Sequence, residues 1–201
     1  MAVTPQRLQA AQMHDRAAAG EDDQDTKYRL YVSAVGVDPD FAQGWMSLGH
    51  RLGDMGLLEA SAAAYRRVLG CPSDDQPGTR TELMTAQAWC NLAMRLHHIG
   101  DDFAETAGLN CVLLDPEMAF GWTNLAMIRS RKADHEGAID AGRRAYRLGG
   151  EKPENELALA FALLFAGCFA EGLKHFEARF EYKLHAYRDF PYPKWTGDEI
   201  H

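Results

Sequence analysis

Asn91 and Asn124 are two polar residues of this 201-residue chain that occur in the same repeated sequence context, which suggests a shared chemical role for their side chains. They occupy the third position of nearly the same hexapeptide, WCNLAM at residues 89–94 and WTNLAM at residues 122–127. A primary amide has a donor and an acceptor, so it can pair with the N–H and C=O groups of a bound peptide. The repetition therefore predicts the start of an amide ladder for extended backbone. In the alternative, each asparagine bonds the adjacent repeat and only fixes packing.

The sequence contains no motif for covalent chemistry. A nucleophile elbow, H-E-x-x-H, a Walker loop and G-x-G-x-x-G are all missing. His97 and His98 are adjacent, and on a helix they point about 100° apart, so they suit a groove edge better than one metal ion. We therefore predict that these residues are noncatalytic, with no cofactor and no metal.

Composition and charge exclude several classes of protein. Hydrophobic residues make up 46% and charged residues 25% of the chain, which is typical of a soluble folded protein. The formal net charge of −8 argues against nonspecific nucleic-acid binding, which needs a concentrated basic face. Arg143, Arg144 and Arg147 do cluster, and we interpret them as the solvated outer face of a helix.

The predicted location is the cytoplasm. No stretch reaches the roughly 18 apolar residues of a membrane span, and residues 1–7 lack the apolar core of a secretory signal. Cys71, Cys90, Cys111 and Cys168 lie far apart without a C-x-x-C pair, which predicts buried free thiols in a reducing compartment.

The elements that position the asparagines follow from a repeated W-x-x-L-[GA] pattern. It begins at Trp45, Trp89 and Trp122, and breaks follow at Gly56, Gly100 and residues 133–134. A period of about 34 residues is that of a helix–turn–helix unit, which buries its apolar face only by stacking on its neighbours. The pattern resembles the tetratricopeptide repeat (TPR). The resemblance implies an all-α, right-handed TPR superhelical solenoid of about five repeats.

The predicted solenoid spans residues 1–188, with repeats near 6–40, 42–73, 86–118, 119–151 and 153–187. A loop rich in turn residues is inserted near 71–85. Residues 189–201 contain two prolines and a glycine, and we predict that they form an extended tail or linker toward a missing C-terminal domain.

The resemblance also implies which side chains line the concave groove, since the first helix of each TPR unit forms its wall. Met94 and Met127 are either an adaptable floor or plain core. The last unit is unusually apolar, because it carries Leu157, Phe161, Leu164 and Phe165. Either a helix over 169–187 with the tail covers that face, or it docks an amphipathic helix, another domain or a second copy. The predicted partner-binding residues are Gln87, Asn91, Met94, His98, Phe120, Thr123, Asn124, Met127, Arg131 and Phe161.

Three segments near the C-terminus carry a second resemblance. They are A-G-x-F-A-E-G at 166–172, F-E-x-R-F at 176–180 and F-P-x-P-x-W-x-G at 190–197. Together they resemble the joint of bacterial TPR–glycosyltransferase fusions, some of which glycosylate flagellin. The resemblance implies a protein or peptide ligand, such as flagellin or its chaperone, and a glycosyltransferase domain after residue 201. The alternatives are a self-associating TPR scaffold or adaptor that forms a homodimer, and a longer natural protein that is itself the enzyme.

Overall fold

A computed structural model describes residues 4–19, 23–72, 80–150 and 152–180. These residues form ten α-helices and one 3-10 turn and contain no strand, so the all-α prediction is confirmed. The helices are α1 Pro5–Ala19, α2 Gln24–Val37, α3 Ala42–Asp54, α4 Leu58–Leu69, α5 Arg80–Ile99, α6 Ala104–Leu114, α7 Ala119–Arg131, α8 His135–Gly149, α9 Pro153–Phe165 and α10 Phe169–Phe176.

The helices pack as five antiparallel pairs, α1–α2 through α9–α10. The second helix of each pair also packs against the first helix of the next pair. In addition, first helices contact one another across repeats, α1 with α3, α5 with α7, and α7 with α9. One layer of the solenoid is therefore built from first helices, and this layer carries the candidate site.

The turns within the repeats depend on left-handed backbone. Gly56, Gly100 and Gly167 follow α3, α5 and α9 with φ of 76°, 80° and 79°. Glycine adopts this conformation without a steric penalty, which is why it ends helices so often. Ala133 takes the same place after α7 with φ of 60°, and Asp134 then caps α8 by accepting the backbone N–H three residues later at 3.0 Å. The breaks at Gly56, Gly100 and residues 133–134 lie where the sequence predicted them.

Two of the tryptophans, Trp45 and Trp122, are bonded to the backbone at the start of their repeats. Trp45 donates through Nε1 to the carbonyl of Pro39, and Trp122 donates in the same way to Pro116, both at 2.8 Å. Leucines three residues after the tryptophans are buried, as the pattern requires. Close helix approach follows from small residues: a Cβ on Gly49 would lie 2.7 Å from the Tyr65 ring. The residues of the repeated pattern are therefore the ones that pack the helices against one another.

The structure differs from the predicted boundaries in the third repeat. Helix α5 begins at Arg80, inside the loop predicted near 71–85, because residues 80–84 are mostly good helix formers. The last repeat continues from α10 into a 3-10 turn, Glu177–Phe180. The predicted tail at 189–201 lies outside the described residues. Every helix in the described ranges is too short or too polar to cross a lipid bilayer.

Candidate binding groove

An apolar groove of about 510 Å³ lies on the layer of first helices, at the C-terminal half of the solenoid. It spans three consecutive repeats, because its walls come from α5, α7 and α9, with one residue from the start of α8. The lining residues are His97, Met127, Ser130, Arg131, His135, Phe161 and Phe165. The structure therefore brings together three of the predicted residues, Met127, Arg131 and Phe161.

Phe161 and Phe165 supply most of the aromatic surface. They lie four residues apart on α9, which puts them on one helix face, and their rings stack with centroids 6.2 Å apart. The ring of Phe176 meets the edge of Phe161 at 5.5 Å. Phe161 is 39% exposed and Phe165 61% exposed, whereas Leu157 on the same helix is buried. The part of the last repeat that the structure describes thus covers Leu157 and leaves Phe165 open.

Arg131 is the cation at the rim of the groove. Its Nη1 donates to the backbone carbonyl of His97, two residues before the end of α5. A guanidinium at this place satisfies a terminal carbonyl and complements the negative end of the helix dipole. Arg131 is therefore positioned by α5, and its exposed remainder faces solvent at the groove edge.

The neighbouring histidines add little positive charge at neutral pH. Burial lowers the pKa of His97, and the nearby His98 and Arg131 lower it further. Burial likewise lowers the pKa of His98, with Arg95 and Arg131 as additional causes. Because the neutral imidazoles are favoured, the His97 wall of the groove is uncharged near pH 7.

Asn124 and Thr123 do not lie on the open wall. Asn124 is 1% exposed and donates through Nδ2 to the Cys90 carbonyl at 3.2 Å, and Thr123 is 3% exposed and donates to Asn155 Oδ1 at 3.0 Å. The cause is that α7 is flanked by α5 on one side and α9 on the other. Both side chains consequently point into the seams between first helices, and the contacts of Asn124 are those of the packing alternative.

Asn91 is half-buried and reaches toward the second repeat. Its Nδ2 lies 3.1 Å from His50 Nε2 and 3.7 Å from the sulfur of Met46. Burial lowers the pKa of His50, so its ring is neutral and can accept this bond at pH 7. Asn91 therefore keeps more solvent access than its counterpart Asn124.

The remaining predicted residues fall into two groups. Met94 is buried in α5, so of its two alternatives the structure places it in the core. Gln87, His98 and Phe120 are exposed on α5 and α7 but are not among the residues lining the groove.

Sequence reasoning missed Asn155 and His135. Asn155 is buried in the first turn of α9, and a Cβ on Gly149 would lie 2.0 Å from its Nδ2, so its place depends on that glycine. Asn155 lies two residues after Pro153, and a polar residue in the first turn of a helix is usually solvated, so the sequence gives no indication that it is buried. His135 opens α8 beside a turn, and only the folded chain brings it to the groove.

Within the described ranges, no cluster of three or more His, Cys, Asp or Glu side chains is arranged to hold a metal ion. The four cysteines are unpaired, with Cys90 and Cys111 buried, Cys71 half-buried and Cys168 exposed. The groove lining offers mainly apolar surface with a few hydrogen-bonding groups, which suit noncovalent contact.

Comparisons with known proteins bear on the fold. No protein-family model matches this sequence, and no curated protein matches it. Among solved structures, a crystal structure of MamA aligns with a TM-score of 0.68 and 17% identity over 90% of this chain and 98% of the MamA chain in that structure. A MamA fragment from Desulfovibrio magneticus RS-1 gives a TM-score of 0.66 and 13% identity over 90% of this chain and 96% of its own.

YrrB, reported as "a TPR protein with an unusual peptide-binding site", gives a TM-score of 0.64 and 9% identity over 90% of this chain and 87% of its own. Such low identities carry information about architecture alone. This chain has the fold of a TPR-like helical solenoid.

Proposed function

We propose that the groove binds an amphipathic segment of a partner protein and that the chain is a protein-interaction module. The observation that carries this proposal is Phe165, which is 61% exposed and stacked on Phe161 within a groove of about 510 Å³. Fully burying an apolar side chain of this size contributes about 1.5–3 kcal/mol. An exposed aromatic pair in a concave apolar site is typical of a binding surface.

In this proposal Met127 forms the floor between the two walls, and its flexible thioether adapts to different apolar side chains. Arg131 at the rim takes a carboxylate or a carbonyl of the partner. The predicted residues outside the groove extend the surface toward the N-terminal repeats, with the half-exposed Asn91 offering an amide to the partner backbone. These flanking residues are Gln87, Asn91, His98 and Phe120.

A peptide-display selection tests the proposal. Peptides selected on the full chain are rebound to Phe165→Ser and to Leu113→Ser, a matched control on α6 that is 75% exposed and outside the groove. We expect Phe165→Ser to weaken binding by at least about tenfold, which corresponds to about 1.4 kcal/mol, and Leu113→Ser to leave it unchanged. Equal binding by both variants contradicts a groove site.

Self-association is the second candidate function. Phe165, Phe169 and Leu173 are all more than half exposed and belong to the last two described helices. In this case a second copy of the chain, and not a peptide, would cover the apolar surface. An isologous dimer would use the same face on both subunits.

From the sequence resemblance at 166–180 and 190–197, we propose a cytoplasmic acceptor-recognition domain of a flagellin-type protein glycosyltransferase. Reading the gene beyond codon 201 tests this linkage. Continuation into an α/β domain with a nucleotide-sugar site supports it, and a stop codon at that point contradicts it.

A further inference from the structure

A second cleft, of about 390 Å³, lies between α7 and α8 and is unusually rich in arginine. Four of the 21 Lys and Arg residues line it in a chain whose net charge is −8. Its lining residues are Trp122, Arg129, Asp140, Ala141, Arg143, Arg144 and Arg147. None of these belongs to the groove described above.

The second and fourth repeats differ in which of these arginines they share: both have the arginine at the position of Arg144, but only the fourth has the one at the position of Arg147. The Arg144 guanidinium lies 4.7 Å from the centroid of the Trp122 ring, and Arg67 lies 5.4 Å from the ring of Trp45 at the same position of the second repeat. Stacking on the repeat tryptophan thus explains Arg144. The position of Arg147 is occupied by glycine, Gly70, in the second repeat. Stacking leaves Arg147 unexplained.

Ion pairing separates the arginines further. Arg129 pairs with Glu105 at 3.2 Å, and Arg143 pairs with Glu171 at 3.3 Å. Arg144 and Arg147 are exposed and form no ion pair with any carboxylate of the described residues. They lie three residues apart on α8, where like charges are neighbours and repel. The cleft therefore concentrates two unmatched guanidinium groups.

We propose that this cleft binds a small diphosphate-bearing anion through Arg144 and Arg147. Guanidinium groups match phosphoryl oxygens with paired N–H donors. The Trp122 ring holds Arg144 in place, which reduces the entropy lost on binding. Asp140 also lines the cleft, and its carboxylate repels negative charge placed beside it. A ligand that carries negative charge on all sides is therefore disfavoured.

The size of the anion follows from the rest of the molecule. An extended polyanion would meet the field of a chain with net charge −8, whereas a small anion in the cleft meets mainly the local arginines. This proposal does not depend on the proposed function of the groove.

Isothermal titration of the full 201-residue chain with sodium pyrophosphate at constant ionic strength tests the proposal. We expect one saturable site, with a Kd raised about tenfold or more by Arg147→Gln and by Arg144→Gln. Arg67→Gln is the matched control, because it removes an arginine stacked on the equivalent tryptophan without touching the cleft. It should leave the Kd unchanged.

Four results would contradict the proposed site. They are the absence of saturable pyrophosphate binding, a Kd that Arg147→Gln leaves unchanged, binding that Arg67→Gln weakens equally, and citrate binding as tight as that of pyrophosphate. Binding of a phosphoserine peptide without binding of pyrophosphate also contradicts it. Arg147 is exposed and unpaired among the described residues, so Arg147→Gln decides the matter if circular dichroism shows that Arg144→Gln loses helix.

Discussion

Asn124 Nδ2 donates to the backbone carbonyl of Cys90, 34 residues earlier, at 3.2 Å, and this bond ties α7 to α5. The amide is buried, and its Oδ1 has no hydrogen-bond partner among the described residues. Asn124 Nδ2 also lies 3.2 Å from the Cys90 sulfur, so this buried amide makes both of its contacts through the nitrogen, and they stabilise the seam between two repeats.

Asn124→Ala should therefore lower the free energy of unfolding by about 1–3 kcal/mol, because it removes an interrepeat hydrogen bond and leaves a small cavity. Asn91→Ala, at the equivalent but half-exposed position, should cost less than about 1 kcal/mol. Urea denaturation followed by circular dichroism compares the two. Equal stability of Asn124→Ala and the wild type would show that the amide does not hold the seam.

Gly142→Ala should destabilise the fourth and fifth repeats by about 1–3 kcal/mol. A Cβ there would lie 3.0 Å from the Cα of Leu159, and a backbone atom cannot move aside as a flexible side-chain end can. Gly36→Ala is the matched control, since it is also helical and a Cβ there has no neighbour within 4 Å. We expect it to stabilise by about 0.5–1 kcal/mol. Melting temperatures that shift in the same direction would refute the packing argument.

Asp38 should make stability depend on pH in acid. A hydrogen bond from the Arg7 side chain holds the pKa of this carboxyl below its usual value, while burial opposes the shift and the Asp40 N–H adds to it at 3.0 Å. Since the folded pKa lies below that of the unfolded chain, the contribution is present above about pH 5 and is lost as pH falls through the folded pKa.

Asp38→Asn keeps the acceptor for the Asp40 N–H and removes the charge. We expect it to lower the melting temperature at pH 7 and to match the wild type near pH 2. Arg7→Gln should have the same effect, and the double variant should be no worse than either single one. Additive losses in the double variant would show that the two side chains act independently.

Phe165→Glu separates the two candidate uses of the apolar surface. If copies associate through it, sedimentation velocity shows dimers whose fraction grows with concentration in the wild type and which Phe165→Glu abolishes. Under the groove proposal the wild type is monomeric at the same concentrations, and Phe165→Glu changes peptide binding only. Dimers that persist in Phe165→Glu would place the self-contact elsewhere.

The all-α class, the repeat period and the turns follow from the amino-acid sequence alone. These depend on local requirements: a left-handed residue after the first helix, as at Gly100, and a large ring followed by a small residue, as at Trp122 and Ala126. The start of α5 was predicted less well, because the turn residues before Arg80 extend the predicted loop past the point where residues 80–84 already favour helix.

Which side chains of the first helices are open to solvent depends on how the repeats pack together. Asn124 and Met127 lie one helical turn apart, yet Asn124 is in the seam against α5 and Met127 lines the groove. The difference arises from how closely α5, α7 and α9 approach one another. Side chains on other repeats take part in these seams, as the bond from Thr123 to the buried Asn155 shows, and no periodicity within one helix encodes them.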